Sequence, residues 1–197
     1  MLKKEAGDRV VVSGPARIYE RIILTGFRGT GKSVVGKKLA ALLGRRFVDT
    51  DTELSTEMHS SVSQYVNRFG WPAFRLLEQQ QLERLAGQKD LVVATGGGAV
   101  LHKDEWSRLR RHSLAVWLQA DAETIRRRLE RDSATGTTRP PLSDSDSLTE
   151  VQDLLAEREP LYRQGADIAV DTTGMTPEEI AAAIRDTIAA QQRKEKD

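Results

Sequence analysis

Gly26-Phe27-Arg28-Gly29-Thr30-Gly31-Lys32-Ser33 sets glycines, a lysine and a hydroxyl in the spacing G-x-x-x-x-G-K-[ST]. The chemistry that spacing serves is phosphate binding. Glycines let the backbone curl so that successive N–H groups point inward at phosphate oxygens. A helix beginning at the lysine adds the positive end of its dipole. Lys32 reaches toward the outer phosphates, and the Ser33 hydroxyl is a ligand for Mg²⁺. Gly26, Phe27, Arg28, Gly29, Thr30, Gly31, Lys32, Ser33 and Val34 are therefore candidate contacts for a nucleoside triphosphate. The alternative is a glycine-rich turn that binds nothing.

Asp49-Thr50-Asp51 follows Phe47-Val48. If the strand continues through them, residues i and i+2 point to one side, so both carboxylates face one crevice. One then suits Mg²⁺, and the other suits orienting or deprotonating an acceptor hydroxyl. A cap on the following helix is the competing reading of Asp51 or Thr52. Arg75 and Glu78 have helical i, i+3 spacing, which lets a carboxylate fix a guanidinium for two-pronged binding of an acid. The same pattern also serves as an ordinary surface pair. Gly96-Gly97-Gly98 either permits close approach of a small ligand to the backbone or forms a flexible loop. Arg139, in a Ser/Thr/Asp/Gly/Pro-rich stretch, is either able to close over a nucleotide and offset charge during transfer or a basic loop residue with no task. Pro160 predicts a helix that ends or kinks after Arg158, projecting that arginine from the helix end.

The elements that must position these residues alternate. Apolar runs at 21–25, 47–48, 91–94, 114–118 and 167–170 read as strands. Helical patterns occupy 33–43, 52–59, 62–86 with a break near Gly70-Trp71-Pro72, 104–111, 122–131, 148–159 and 177–191. Strands alternating with helices predict an α/β domain with a parallel sheet covered on both faces and its ligands at the strand C-termini. The predicted organisation is an N-terminal extension over 1–20, partly disordered, one domain over 21–191 with a lid at about 133–147, and a charged tail over 192–197.

Composition narrows the classes. Thirty basic against 29 acidic residues give a formal charge of +1, so nothing pulls the whole chain toward nucleic acid or a membrane surface. With no cysteine, disulfides, thiolate metal sites and cysteine nucleophiles are excluded. No apolar run reaches the ~18 residues of a spanning helix, and the N-terminus lacks a secretory pattern, so a cytoplasmic monomer is expected. No N-K-x-D motif reads guanine, Asp171-Thr172-Thr173-Gly174 falls too far downstream for a switch, and the strand ending at Ala94 carries no terminal aspartate. Together these favour a small-molecule kinase over a GTPase or a motor. The histidines at 59, 102 and 112 lack metal-ligand spacing and read as surface or packing residues.

The ordered set of phosphate loop, D-x-D at Asp49 and Asp51, F-R-x-x-E at 74–78, G-G-G at 96–98, R-P-x-L at 139–142 and R-x-P-L-Y at 158–162 resembles the shikimate kinase family. The resemblance spans most of 21–190. It implies a three-layer α/β/α P-loop kinase fold with a central parallel sheet and a mobile lid. It also implies transfer of the γ-phosphoryl group of ATP, with Mg²⁺, to the 3-hydroxyl of shikimate, a step toward chorismate and the aromatic amino acids. Carried over residue by residue, Asp49 and Ser33 serve the metal, and Asp51, Arg75, Gly96, Gly97, Gly98 and Arg158 bind the acceptor. Arg128 and Arg139 join the phosphate loop around ATP, and Lys32, Asp51 and Arg139 carry the catalysis. Trp71 stands where the family pattern G-E-x-x-F-R has an acid, and the stretch from Arg128 to Arg139 is longer than in compact relatives. Two other readings stand beside this one: another small-molecule kinase, such as a gluconate kinase, and a nucleotide-binding regulatory module without turnover.

Overall fold

A computed structural model describes residues 19–133 and 148–194. The expected extension, the lid segment with Arg139 and the last three residues lie outside the described residues.

Five strands, β1 (Arg21–Thr25), β2 (Arg46–Asp49), β3 (Leu91–Ala94), β4 (Ser113–Gln119) and β5 (Ile168–Asp171), form one sheet in the order β2-β3-β1-β4-β5. Every pairing is parallel, with Ile23 level with Val93 on one side and Ala115 on the other. Parallel strands need crossovers, and helices α1 (Lys32–Leu43), α2 (Thr50–Glu57), α3 (Val62–Ala86), α4 (Lys103–Arg110), α5 (Ala122–Ser133), α6 (Leu148–Gly165) and α7 (Pro177–Lys194) supply them and close the fold. A single 3₁₀ turn, Ala99–Leu101, follows β3.

The central strand shows why the run Ile22-Ile23-Leu24 is apolar without alternation. Ile22 and Leu24 pack with Val35 and Leu39 of α1 and Ile180 and Ile184 of α7. Ile23 packs on the opposite face with Leu82, Leu109, Trp117 and Tyr162. Both faces are covered, so each side chain is buried, and each stabilises the fold by about 1.5–3 kcal/mol. A third, smaller cluster, Leu54, Val62 and Phe74, joins α2 to α3.

Three expectations change. The helix expected over 148–159 does not stop before Pro160 but runs through it to Gly165 as α6. Tyr162 is fully buried and hydrogen-bonded, so packing beyond the proline holds the helix across the missing N–H. The break at 70–72 is sharper than a pause: Gly70 (φ 81°, ψ 164°) leaves the helical region and α3 resumes at once. Helix α7 extends to Lys194, three residues past the expected end.

At the N-terminal edge of the sheet Arg21 is 2% exposed. Its guanidinium donates to the carbonyls of Gln88 and Arg111, to Ser113 Oγ and to Glu20. These bonds tie β1 to the turns before β3 and β4. Arg21→Met keeps the stem but orphans two or more buried acceptors at about 1–3 kcal/mol each. A loss of about 3 kcal/mol in stability is expected, measured by urea unfolding.

Candidate functional site

The phosphate loop leaves the C-terminal end of β1 and runs into α1. Helix α1 starts behind Gly31 with no side-chain cap and no acid in its first turn. Its first N–H groups and its dipole are thus left to an external anion. Lys32 Nζ donates to the carbonyls of Gly26 (2.8 Å) and Phe27 (2.7 Å), so the ammonium lies along the inner edge of the loop. A cavity of about 400 Å³ opens there, lined by loop residues 28–35 with Asp49, Asp51, Thr95, Arg128, Met175, Pro177 and Ile180. Val34, half exposed, belongs to this wall. Gly26 and Phe27 do not line it, and the Phe27 ring is buried in the core.

Arg128 crosses from α5 to the cavity. It donates to the Gly29 carbonyl (3.2 Å) and to both Oγ1 (3.1 Å) and the carbonyl of Thr172 (3.0 Å). One guanidinium therefore joins the phosphate loop to the turn after β5. The sequence excluded this stretch as a switch motif, but its service to the cavity was not legible there.

Asp49 and Asp51 both line the cavity, though not as alternate residues of a strand. Asp49 is the last residue of β2, and its Oδ1 accepts from the N–H groups of Asp51 and Thr52 as the cap of α2. Its Oδ2 accepts from Ser33 Oγ at 2.5 Å. Asp51 lies in the first turn of α2. The chain turns into a helix two residues earlier than strand periodicity assumes, because Asp49 itself is the cap. Among the described residues there is no cluster of three or more His, Asp or Glu side chains able to cage a metal. Ser33 and Asp49 nevertheless make an adjacent pair of hard oxygen donors beside the phosphate loop. That pair fits Mg²⁺, which takes one or two protein oxygens and completes its shell with phosphate and water.

Beside the loop lies the buried glycine triplet. Gly96 N–H donates to Thr50 Oγ1 (2.8 Å), and Tyr162 Oη donates to the Gly97 carbonyl (2.7 Å). A Cβ on Gly97 would lie 3.6 Å from the Gly26 carbonyl oxygen and 3.8 Å from Arg158 Nη1. A Cβ on Gly98 would press into the Arg75 guanidinium, 3.1 Å from its Cζ. Two arginines far apart in sequence thus converge on one glycine surface that abuts the phosphate loop. Arg158 also stands over the Phe27 ring at 5.8 Å, so Phe27 supports the arginine side of the site.

Arg75 pairs with Glu78, as its spacing predicts. Behind them His102 is buried, with Nε2 3.2 Å from the same Glu78 oxygen. Gln81 donates to the Thr50 carbonyl at 3.0 Å. Sequence reasoning missed Thr50, Gln81, His102 and Thr172 as supports. Tyr162 stood inside a recognised motif but carried no assigned role.

Burial pushes the Glu78 carboxyl up, but the His102 hydrogen bond and the Arg75 charge outweigh burial and hold it below the ordinary range. The native state therefore binds this proton less tightly than the unfolded chain does. The stabilisation is complete above the ordinary glutamate pKa and is lost as pH falls through the lower native value. Thermal melts across the acid range should show a shallower loss of stability for Glu78→Gln than for the wild type.

The shikimate kinase family profile matches residues 28–189. A shikimate kinase 2 of Yersinia enterocolitica is 40% identical over 175 residues, covering 89% of this chain and 99% of the relative. A shikimate kinase from Acinetobacter baumannii, solved in complex with shikimate, superposes with a TM-score of 0.82 at 32% identity over 89% of this chain and 96% of the other. A gluconokinase from Sinorhizobium meliloti shares the fold more distantly, with a TM-score of 0.54 at 20% identity over 91% of this chain and 97% of the other. The profile spans most of the chain and the Yersinia relative matches it almost end to end, which makes this chain a member of the shikimate kinase family.

Proposed function

We propose that this chain phosphorylates shikimate at its 3-hydroxyl, using ATP and Mg²⁺, as a monomer in the cytoplasm. The observation that carries the reading is the convergence of Arg75 and Arg158 on Gly96–Gly98, next to both the phosphate loop and the Asp49–Asp51 corner. A phosphate-binding loop alone does not choose an acceptor. Two guanidinium groups on a side-chain-free surface suit a small, flat carboxylic acid. No described helix is long and apolar enough to cross a membrane.

In this reading Arg75 and Arg158 grip the acceptor carboxylate and set the ring's orientation. Asp51 accepts a hydrogen bond from the attacking hydroxyl and takes its proton as the oxygen–phosphorus bond forms. The bond from the γ-phosphorus to the β,γ-bridging oxygen breaks, and ADP leaves with that electron pair. Lys32 and the N-terminus of α1 offset charge on the phosphoryl oxygens, and Arg139 adds a further positive charge there. Ser33 and Asp49 would hold Mg²⁺, whose chemistry is to neutralise the β and γ oxygens. Arg128 keeps the loop and the turn after β5 at a fixed spacing.

A coupled ADP-release assay should show turnover with shikimate and none with gluconate. A folded Asp51→Asn variant should lose kcat by about 10²–10⁴-fold. Nucleotide binding without acceptor-dependent turnover would sink the assignment and leave a binding module. Arg158→Ala removes a charge-assisted contact of about 1.5–3 kcal/mol, so KM for shikimate should rise by about 10–100-fold with KM for ATP unchanged.

A further inference from the structure

Trp71 is half exposed, although large aromatic side chains are ordinarily drawn into the core. Its surroundings account for that position. Trp71 and Arg75 are one turn apart on α3, and the Arg75 Cζ stands 5.0 Å from the centre of the indole ring. Phe74, buried between α2 and α3, meets the same indole edge-on at 6.0 Å and 77°. The indole is therefore braced from the core and turns a face to the guanidinium. On its other sides the guanidinium meets Glu78 through Nη1 and the backbone of Gly98.

We propose that Trp71 is a positioning residue for the acceptor, holding the Arg75 guanidinium in the plane that receives the substrate carboxylate. The inference rests on the functional reading above. The physical distinction lies in what each neighbour takes from Arg75. A carboxylate at position 71, as in the G-E-x-x-F-R pattern, would draw on the same N–H donors that a substrate acid needs. A ring face attracts the cation through its quadrupole and leaves the donors alone. Among the described residues Glu78 is the hydrogen-bond partner of Arg75, at Nη1. The Nε and Nη2 edge is thus kept for the two-pronged contact. Trp71 confers preference for a carboxylate-bearing acceptor by holding that edge outward.

The test is a set of variants: Trp71→Ala, Trp71→Phe, Arg75→Ala and the double variant Trp71→Ala/Arg75→Ala. Each is first checked for an unchanged melting midpoint. In Trp71→Ala, KM for shikimate should rise about three- to ten-fold, the range of a partly exposed cation–π contact. Its kcat and KM for ATP should hold, and Trp71→Phe should recover most of the loss. In the Arg75→Ala background, Trp71→Ala should add nothing, because the effect travels through Arg75. The Arg75 Nε–H proton resonance should move downfield in Trp71→Ala as the ring current is lost. An unchanged KM in Trp71→Ala would overturn the proposal. So would an undiminished effect in the double variant, which would mean direct contact of the indole with substrate. The resonance is read without turnover. An enzyme inert toward shikimate that still shows the shift would refute the acceptor assignment and leave the clamp standing. An absent shift in an active enzyme would do the reverse.

Discussion

A Cβ at Gly26 would sit on the carbonyl oxygen of Leu118, and the backbone there has φ +134°. No side chain fits either condition. This close approach lets the chain turn off the end of β1 directly against β4 and deliver the phosphate loop to the centre of the sheet. The Gly26 carbonyl then faces two ways. It accepts from Lys32 and stands beside Gly97. In the proposed reading the phosphate side and the acceptor side of the site are built against the same peptide unit, so their separation is set by backbone rather than by flexible side chains. Transfer chemistry that relies on positioning has most to gain from such a junction.

The electrostatics follow from this placement. The chain is nearly neutral, yet the strand C-termini gather the open end of α1, Lys32, Arg128, Arg75 and Arg158 at one edge. In the proposed reading, that edge is where the two anionic substrates meet. Each cation is also fixed. Lys32 and Arg128 lie on loop carbonyls, Arg75 on Glu78 and Gly98, and Arg158 over Phe27 beside Gly97. Glu78 is in turn held by His102, a buried residue that spacing alone presented as packing.

Strands and their loops were legible in the sequence because parallel strands buried on both faces leave unbroken apolar runs. Ile22-Ile23-Leu24 and Leu91-Val92-Val93 are of that kind. The phosphate loop was legible because its backbone demands glycine at fixed positions. What misled was local chemistry applied without its tertiary setting. Pro160 looked like a helix end, but the buried Tyr162 two residues later keeps α6 intact. Asp49 and Asp51 share a cavity through a helix cap rather than a strand pleat. Thr50, Thr172 and Gln81 were invisible, since a threonine hydroxyl or a glutamine amide acquires its task only from what the fold brings beside it.

The α2–α3 excursion between β2 and β3 carries Asp51, Arg75 and Glu78 on one contiguous stretch; its outer part packs around Leu54, Val62 and Phe74, while Leu82 and Leu85 later in α3 join the core under the sheet. In evolutionary terms it is a cassette. In the proposed reading, replacements within it would bear on the acceptor, while the nucleotide contacts on β1, α5 and the turn after β5 lie outside it. A common scaffold can in this way be retuned toward a different hydroxylated acid largely within one crossover, with Arg158 and the glycine triplet as its fixed counterpart.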